Sequence, residues 1–274
     1  MAARSDRLRK VPEGSPLRGF YLLPNLLTTA GLLCGFYSMV ASMRGQFSVA
    51  AIAIMGANVF DVLDGRVARV TKTTSEFGSQ YDSLADLVAF GVAPAFLFYR
   101  FALEPWGSLG WLVAALYIVC GALRLARFNV QRDTVAKRYF VGLPIPAAAE
   151  VIASSVLLYV YLFSVAPTAG IDVSRRFGWL IACCLLSILM VSGVRYFSFK
   201  EFGLWHRQSF SALLAVIVTM MVFLTEPQLF LFVGATGYAL SGPVRSIFGR
   251  TDWGRGRGGN SDLTGSDDSS SVSA

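Results

Sequence analysis

The chain has 274 residues, of which 54% are hydrophobic and 15% charged, with a formal net charge of +7 and a mean hydropathy of +0.56. This composition excludes an ordinary soluble domain and points to a polytopic membrane protein. The positive charge reads as membrane topology and attraction to anionic lipid, which needs no nucleic-acid partner.

In chain order, residues 1–19 form a basic arm, and Phe20 to Leu23 sit at an interface before Pro24 opens the first apolar segment. No small-residue cleavage site follows the arm, so no cleavable signal peptide is expected. About 20 apolar residues span a bilayer core. Candidate spans lie near 24–43, 47–68, 84–101, 108–127, 145–165, 177–195, 208–225 and 228–246. Helices are the only plausible element, because backbone groups in lipid must be satisfied within the segment. The expected fold is therefore all-α: a polytopic membrane helix bundle of about eight transmembrane helices, a core of six plus two at the C-terminus. Residues 20–200 hold the core, 201–250 the C-terminal helix pair, and 251–274 a Gly-, Ser- and Asp-rich disordered tail. Gly31 and Gly35 in the first span are a small-xxx-small pair that lets helices approach.

Lysine and arginine set the orientation. With the N-terminus in the cytoplasm, only Arg44, Arg100, Arg175 and Arg176 of the 24 basic residues fall on the far side. Both termini are then cytoplasmic, in the cell (inner) membrane. Cys34, Cys120, Cys183 and Cys184 lie within spans without zinc-ligand spacing and read as packing residues. His206 is the one histidine and falls in a cytoplasmic turn, so histidine-based acid–base chemistry is nearly excluded.

Residues 61–86 carry the chemistry. Asp61 and Asp64 are three apart, Asp82 and Asp86 four apart, at the edges of two apolar segments. On helices each pair shares one face. Charge inside a membrane segment is costly and marks a functional site. Two acidic pairs on neighbouring helices repel unless cations lie between them, and oxygen-rich sites suit hard ions such as Mg²⁺ or Mn²⁺. Neutralisation by Arg66, Arg69 and Lys72 is the bland alternative; four aspartates with Gly65, Ala68 and Gly78 at fixed offsets make it the poorer account.

The run D-x-x-D-G-x-x-A-R-x8-G-x-x-x-D-x-x-x-D resembles the signature of the CDP-alcohol phosphotransferase family, and every signature residue is present. The membrane pattern over residues 20–200 also fits. The resemblance implies a metal-dependent phosphotransferase. Asp61, Asp64 and Asp82 would ligate Mg²⁺ or Mn²⁺. Asp86 would be the catalytic base and could also ligate. CDP or phosphate contacts would come from Asn25, Gly65, Arg69 and Ser75, although a loop serine such as Ser75 is usually a turn or cap residue. The family is often homodimeric, which implies a dimer in membrane lipid.

Three segments bear on the acceptor alcohol. Pro24-Asn25-Leu26-Leu27-Thr28 is shared between branches of the family. Gly121 to Asn129 and Phe140 to Ala147 are similar to the branch that uses serine. That likeness implies transfer of a phosphatidyl group from CDP-diacylglycerol to L-serine, giving phosphatidylserine and CMP. Arg124 and Arg127, three apart near the end of the fourth span, suit the serine carboxylate; snorkelling anchors are the alternative. Asn129 would bind substrate or cap the helix. Gly142, Pro144 and Pro146 shape a loop. Rivals are another branch of the family, making phosphatidylglycerophosphate or phosphatidylinositol phosphate, and a divalent-cation transporter. Against transport, the carboxylates cluster at one edge, and no later span is expected to carry an acidic partner near the midplane.

Overall fold

The computed structural model describes residues 22–71, 75–131, 140–163, 173–196 and 224–248, with isolated positions between 214 and 221. Helices dominate: α1 (Leu22–Met43), α2 (Phe47–Val70), α3 (Glu76–Trp106), α4 (Ser108–Gln131), α5 (Ile145–Phe163), α6 (Val173–Val191) and α7 (Pro227–Phe248). A two-residue antiparallel pairing joins β1 (Phe140–Val141) to β2 (Arg195–Tyr196). Five helices are long and apolar enough to cross a membrane, namely α1 to α5, and Arg176–Val191 is a shorter apolar helix. These are the marks of an integral membrane protein. The expected arm 1–19, most of the expected span 208–225 and the tail 251–274 lie outside the described residues.

The third span was expected at 84–101, but its helix starts at Glu76. The added turns are polar and escape a hydropathy window. Ser75 caps them in an extended conformation, its Oγ accepting from the Gly78 N–H at 2.9 Å. Thr29 on α1 and Tyr81 on α3 share a 2.9 Å hydroxyl bond that holds this extension against α1.

Small residues set the spacing of the core. Ala50, Ala51, Ile54 and Ala57 are fully buried along α2, where α1 packs on α2. Gly35 meets α3: a Cβ there would lie 2.7 Å from the Ala89 Cα. Gly31 instead faces Ala57 and Phe60 at ordinary contact distance, so the small-residue pair serves two different neighbours. At the end of the bundle that holds the aspartates, Gly142 has φ +85, and a Cβ there would lie 2.3 Å from the Met190 carbonyl oxygen. Gly142 N–H donates to the Val194 carbonyl and Leu143 N–H to the Leu189 carbonyl. The loop before α5 is thereby tied to the end of α6.

Helix α3 is not uniformly α. Leu87–Val92 and Tyr99–Leu103 take the wider π turn around Ala93–Phe98. Pro94 supplies a cause. It has no N–H to give the carbonyl of Phe90 one turn earlier. In lipid a carbonyl short of donors is costly, and the hydroxyl of fully buried Tyr117 on α4 donates to the Phe90 carbonyl at 3.2 Å. The proline thus opens the helix one residue after Asp86, and α4 closes the gap.

Tyr117→Phe is expected to destabilise the protein by about 1–3 kcal/mol, the cost of an unmet buried acceptor. In a Pro94→Ala background the carbonyl regains an in-helix donor and the same change should cost clearly less. Unfolding in detergent would measure both; equal costs would contradict this account of the π turn.

Candidate active site

Four helix ends meet on one side of the bundle. The end of α2 brings Asp61 and Asp64, and the start of α3 brings Asp82 and Asp86. The start of α1 brings Asn25 and Thr28, and the end of α4 brings Arg124 and Asn129. A narrow cleft between α1, α2 and α3 is lined by all four aspartates together with Thr28, Gly31, Ala57 and Phe90.

Oxygen atoms of Asp61, Asp64 and Asp82 all lie within 4.8 Å of one another. Asp64 is the most enclosed, with only 6% of its surface exposed. Thr28 fixes it by donating a 2.7 Å hydrogen bond to Oδ2. Asp86 is not in that triplet but sits beside Asp61 and interacts with Asp82, Asp64 and Arg124. The ion pair that the described residues show, Arg100–Glu104, lies at the opposite end of α3, and Arg124 acts on the aspartate cluster through Asp86. Arg66 and Arg69 are exposed, and Lys72 lies outside the described residues. Three hard oxygen donors this close together fit a divalent ion.

The remaining predicted residues sort into two sides of α3. On the α1–α2 side, Gly65 has open space before it: the nearest atom to a Cβ built there is the Arg69 Nη2, at 4.0 Å. Asp61, Gly65 and Arg69, four apart, share one face of α2, and at Gly65 that face is open among the described residues. Asn25 reaches the start of α3, where a Cβ on Gly78 would lie 3.4 Å from the Asn25 Oδ1 and 3.0 Å from the Ser75 Oγ. Gly78 serves close packing there, and Ser75 acts as the helix cap.

On the α4 side the two arginines part. Arg127 is exposed, whereas Arg124 is largely enclosed and interacts with Asp86, Tyr117 and Tyr238. Its Nε is buried with no hydrogen-bond partner. Asn129 Nδ2 donates to the Ser83 Oγ at 3.1 Å, bridging α4 to α3.

Sequence reading passed over Thr28, Ser83 and a polar pair deeper in the bundle. Asn58 Nδ2 donates to Glu150 Oε2 at 3.3 Å across the α2–α5 contact. Glu150 lies about 8 Å inside the start of α5 at 1.5 Å per residue, so a later span does carry an acidic group, although short of the midplane. Its place between Pro146 and an apolar run concealed it; Asn58 one turn before Asp61 was the available signal. Helix α7 was expected outside the core. It packs on α5, with the Tyr196 hydroxyl donating to the Ala239 carbonyl at 3.0 Å.

A family model of CDP-alcohol phosphatidyltransferases matches residues 21–173. The CDP-diacylglycerol–serine O-phosphatidyltransferase of Helicobacter pylori strain J99 is 39% identical over 237 residues, 85% of this chain and 94% of its own. The archaetidylserine synthase of Methanothermobacter thermautotrophicus is 37% identical over 182 residues, 66% of this chain and 71% of its own. A CDP-diacylglycerol–serine O-phosphatidyltransferase of Mycobacterium tuberculosis is 39% identical over 143 residues, half of each chain. The chain belongs to the CDP-alcohol phosphatidyltransferase family, a family of enzymes, and the whole Asp61–Asp86 run falls inside the matched segment.

Removing a group that orients a ligand typically weakens metal binding about 10–100-fold. Thr28→Val is expected to do so for Mn²⁺ measured by calorimetry, and Asp64→Asn to weaken it further. Unchanged Mn²⁺ affinity in Asp64→Asn would remove this cluster from consideration as a metal site.

Proposed function

We propose that the chain transfers the phosphatidyl group of CDP-diacylglycerol to L-serine, releasing CMP and phosphatidylserine. The observation that carries this reading is a relative named for that activity and aligned over 85% of the chain, together with an enclosed arginine beside the fourth aspartate.

Asp61, Asp64 and Asp82 would hold Mg²⁺ or Mn²⁺, with Asp86 able to join them. The ion, when bound, neutralises the diphosphate and stabilises charge on the reacting phosphoryl group. Gly65 leaves room for the nucleotide, and Arg69 on the same face meets a phosphate. Asn25 and Ser75 border this side. Asp86 accepts the proton of the serine hydroxyl. The hydroxyl oxygen bonds to the phosphorus that carries diacylglycerol, the bond from that phosphorus to the CMP oxygen breaks, and CMP leaves. Arg124 takes the serine carboxylate, which satisfies a guanidinium whose Nε is buried without a hydrogen bond among the described residues. Arg127, being exposed, contributes as a cationic rim, and Asn129 lies on the acceptor side.

We read the chain as eight spans, six in the core of residues 20–200 and two in 201–250, with arm 1–19 and tail 251–274 on the cytoplasmic side with the aspartates. Arg44, Arg100 and Arg176 at the opposite helix ends support that orientation. A homodimer in the inner membrane accords with the family's habit.

Purified protein given CDP-diacylglycerol and a panel of alcohols should release CMP with L-serine above all others, and chelation should stop it. Arg124→Gln should raise the half-saturating serine concentration about ten- to a hundredfold, the worth of a charge-assisted bond of roughly 1.5–3 kcal/mol. Asp86→Asn should lose turnover more than CDP-diacylglycerol affinity. Preference for another alcohol would overturn the assignment. For orientation, single cysteines introduced into 1–19 and 251–274 should resist an impermeant thiol reagent in intact cells and react in opened membranes; labelling of either in intact cells would reverse the topology.

A further inference from the structure

An α-amino acid with a side-chain hydroxyl presents three polar groups, and the proposed function places only two of them. Asp86 faces the hydroxyl and Arg124 the carboxylate. The ammonium group remains, and leaving it unpaired in an enclosed cleft is costly. Asp61, Asp64 and Asp82 form the compact triplet on the α1–α2 side. Glu150 is engaged by Asn58 between α2 and α5.

The α3–α4 side offers something else. Ser83 stands three residues before Asp86 and therefore on the same face of α3. Its Oγ donates to the Ser79 carbonyl at 3.1 Å and accepts from Asn129 Nδ2 at 3.1 Å. That arrangement leaves the Asn129 Oδ1, 3.4 Å from the same Oγ, able to accept. Both residues are half-buried, and Asn129 lies five residues after Arg124 at the same end of α4. Two neutral oxygens are thus held one helical turn from Asp86, in the negative field of Asp82 and Asp86. An ammonium group has three donors and no acceptor, and this is a setting that suits it.

We propose that Ser83 and Asn129 form the subsite for the ammonium group of the acceptor, so that hydroxyl, carboxylate and ammonium are each read by different side chains of α3 and α4. This rests on the proposed transfer to L-serine. It makes the α1–α2 side of α3 the nucleotide side and the α4 side the acceptor side, with Asp86 between them.

The probe is 3-hydroxypropanoate, which keeps the hydroxyl and carboxylate of serine and lacks the ammonium. CMP release by the full-length purified protein is measured against L-serine and against this analogue. Wild type should prefer L-serine strongly. Ser83→Ala and Asn129→Leu should each reduce that preference about tenfold or more, while direct CDP-diacylglycerol binding stays near the wild-type value. Ser83→Thr, which keeps the hydroxyl, should retain most of the preference and so separates lost recognition from misfolding. If wild type uses L-serine but both variants keep its discrimination, the subsite is wrong and the pair is only a contact between helices. If wild type shows no serine-dependent release at all, the proposed transfer to L-serine fails, and this inference with it.

Discussion

Like charges crowded at the end of an apolar bundle are the constraint on which the rest depends. Three carboxylates have oxygens within 4.8 Å of one another, with a fourth beside them. Two unit charges about 4 Å apart at an effective dielectric near 20 repel by roughly 4 kcal/mol. Such a cluster persists in a folded protein when the surrounding helices hold it and a bound cation relieves it. The local structure is consistent with the first condition. Asp64 is locked by Thr28, the start of α3 is capped by Ser75, and the Thr29–Tyr81 bond keeps that start on α1.

Helix α3 separates the two halves of the chemistry. Its first turns carry Asp82 and lie outside the apolar window, with Asp86 just inside it, and there the helix meets polar partners from α1 and α4. Immediately beyond Asp86 it widens into a π turn. A wider turn rotates the downstream residues of a helix relative to the upstream ones, so the apolar part can pack by Ala89 against Gly35 while the aspartates face the cleft. Widened turns of this kind often occur at functional sites, and here Pro94, close beyond the turn, provides a local reason for it.

Much of the site was legible because helical spacing is a strict rule. Aspartates three and four apart must share faces, and the structure brings them into one cleft. Hydropathy found α1, α2, α4 and α5 within a few residues. It missed the polar start of α3, because a window averages away residues that are helical through capping and tertiary bonds. The arginine pair failed differently. Three-apart spacing predicts a common face, but a long side chain at a helix end can turn inward or out to solvent. Arg124 took the first course and Arg127 the second. Thr28 and Ser83 could not be picked out, since hydroxyls on an apolar helix look alike until a partner on another helix is known.

The C-terminal helix shows where a matched segment stops short of a working site. The family match ends at residue 173, and α7 begins at Pro227. Yet α7 packs along α5 and is pinned through Tyr196, whose ring stands 5.7 Å from that of Tyr238. Tyr238 in turn interacts with Arg124. The same short strand that holds Tyr196 also pairs with Phe140–Val141, just before the Gly142 turn that leads into α5. One set of contacts therefore fixes the loop before α5, the position of α7 and the surroundings of the enclosed guanidinium. A nucleotide site built from α1, α2 and α3 can be common to a family whose members use different alcohols. On the proposed assignment the acceptor side would depend on α4 and on the elements packed behind it, so selectivity could vary there without disturbing the aspartates.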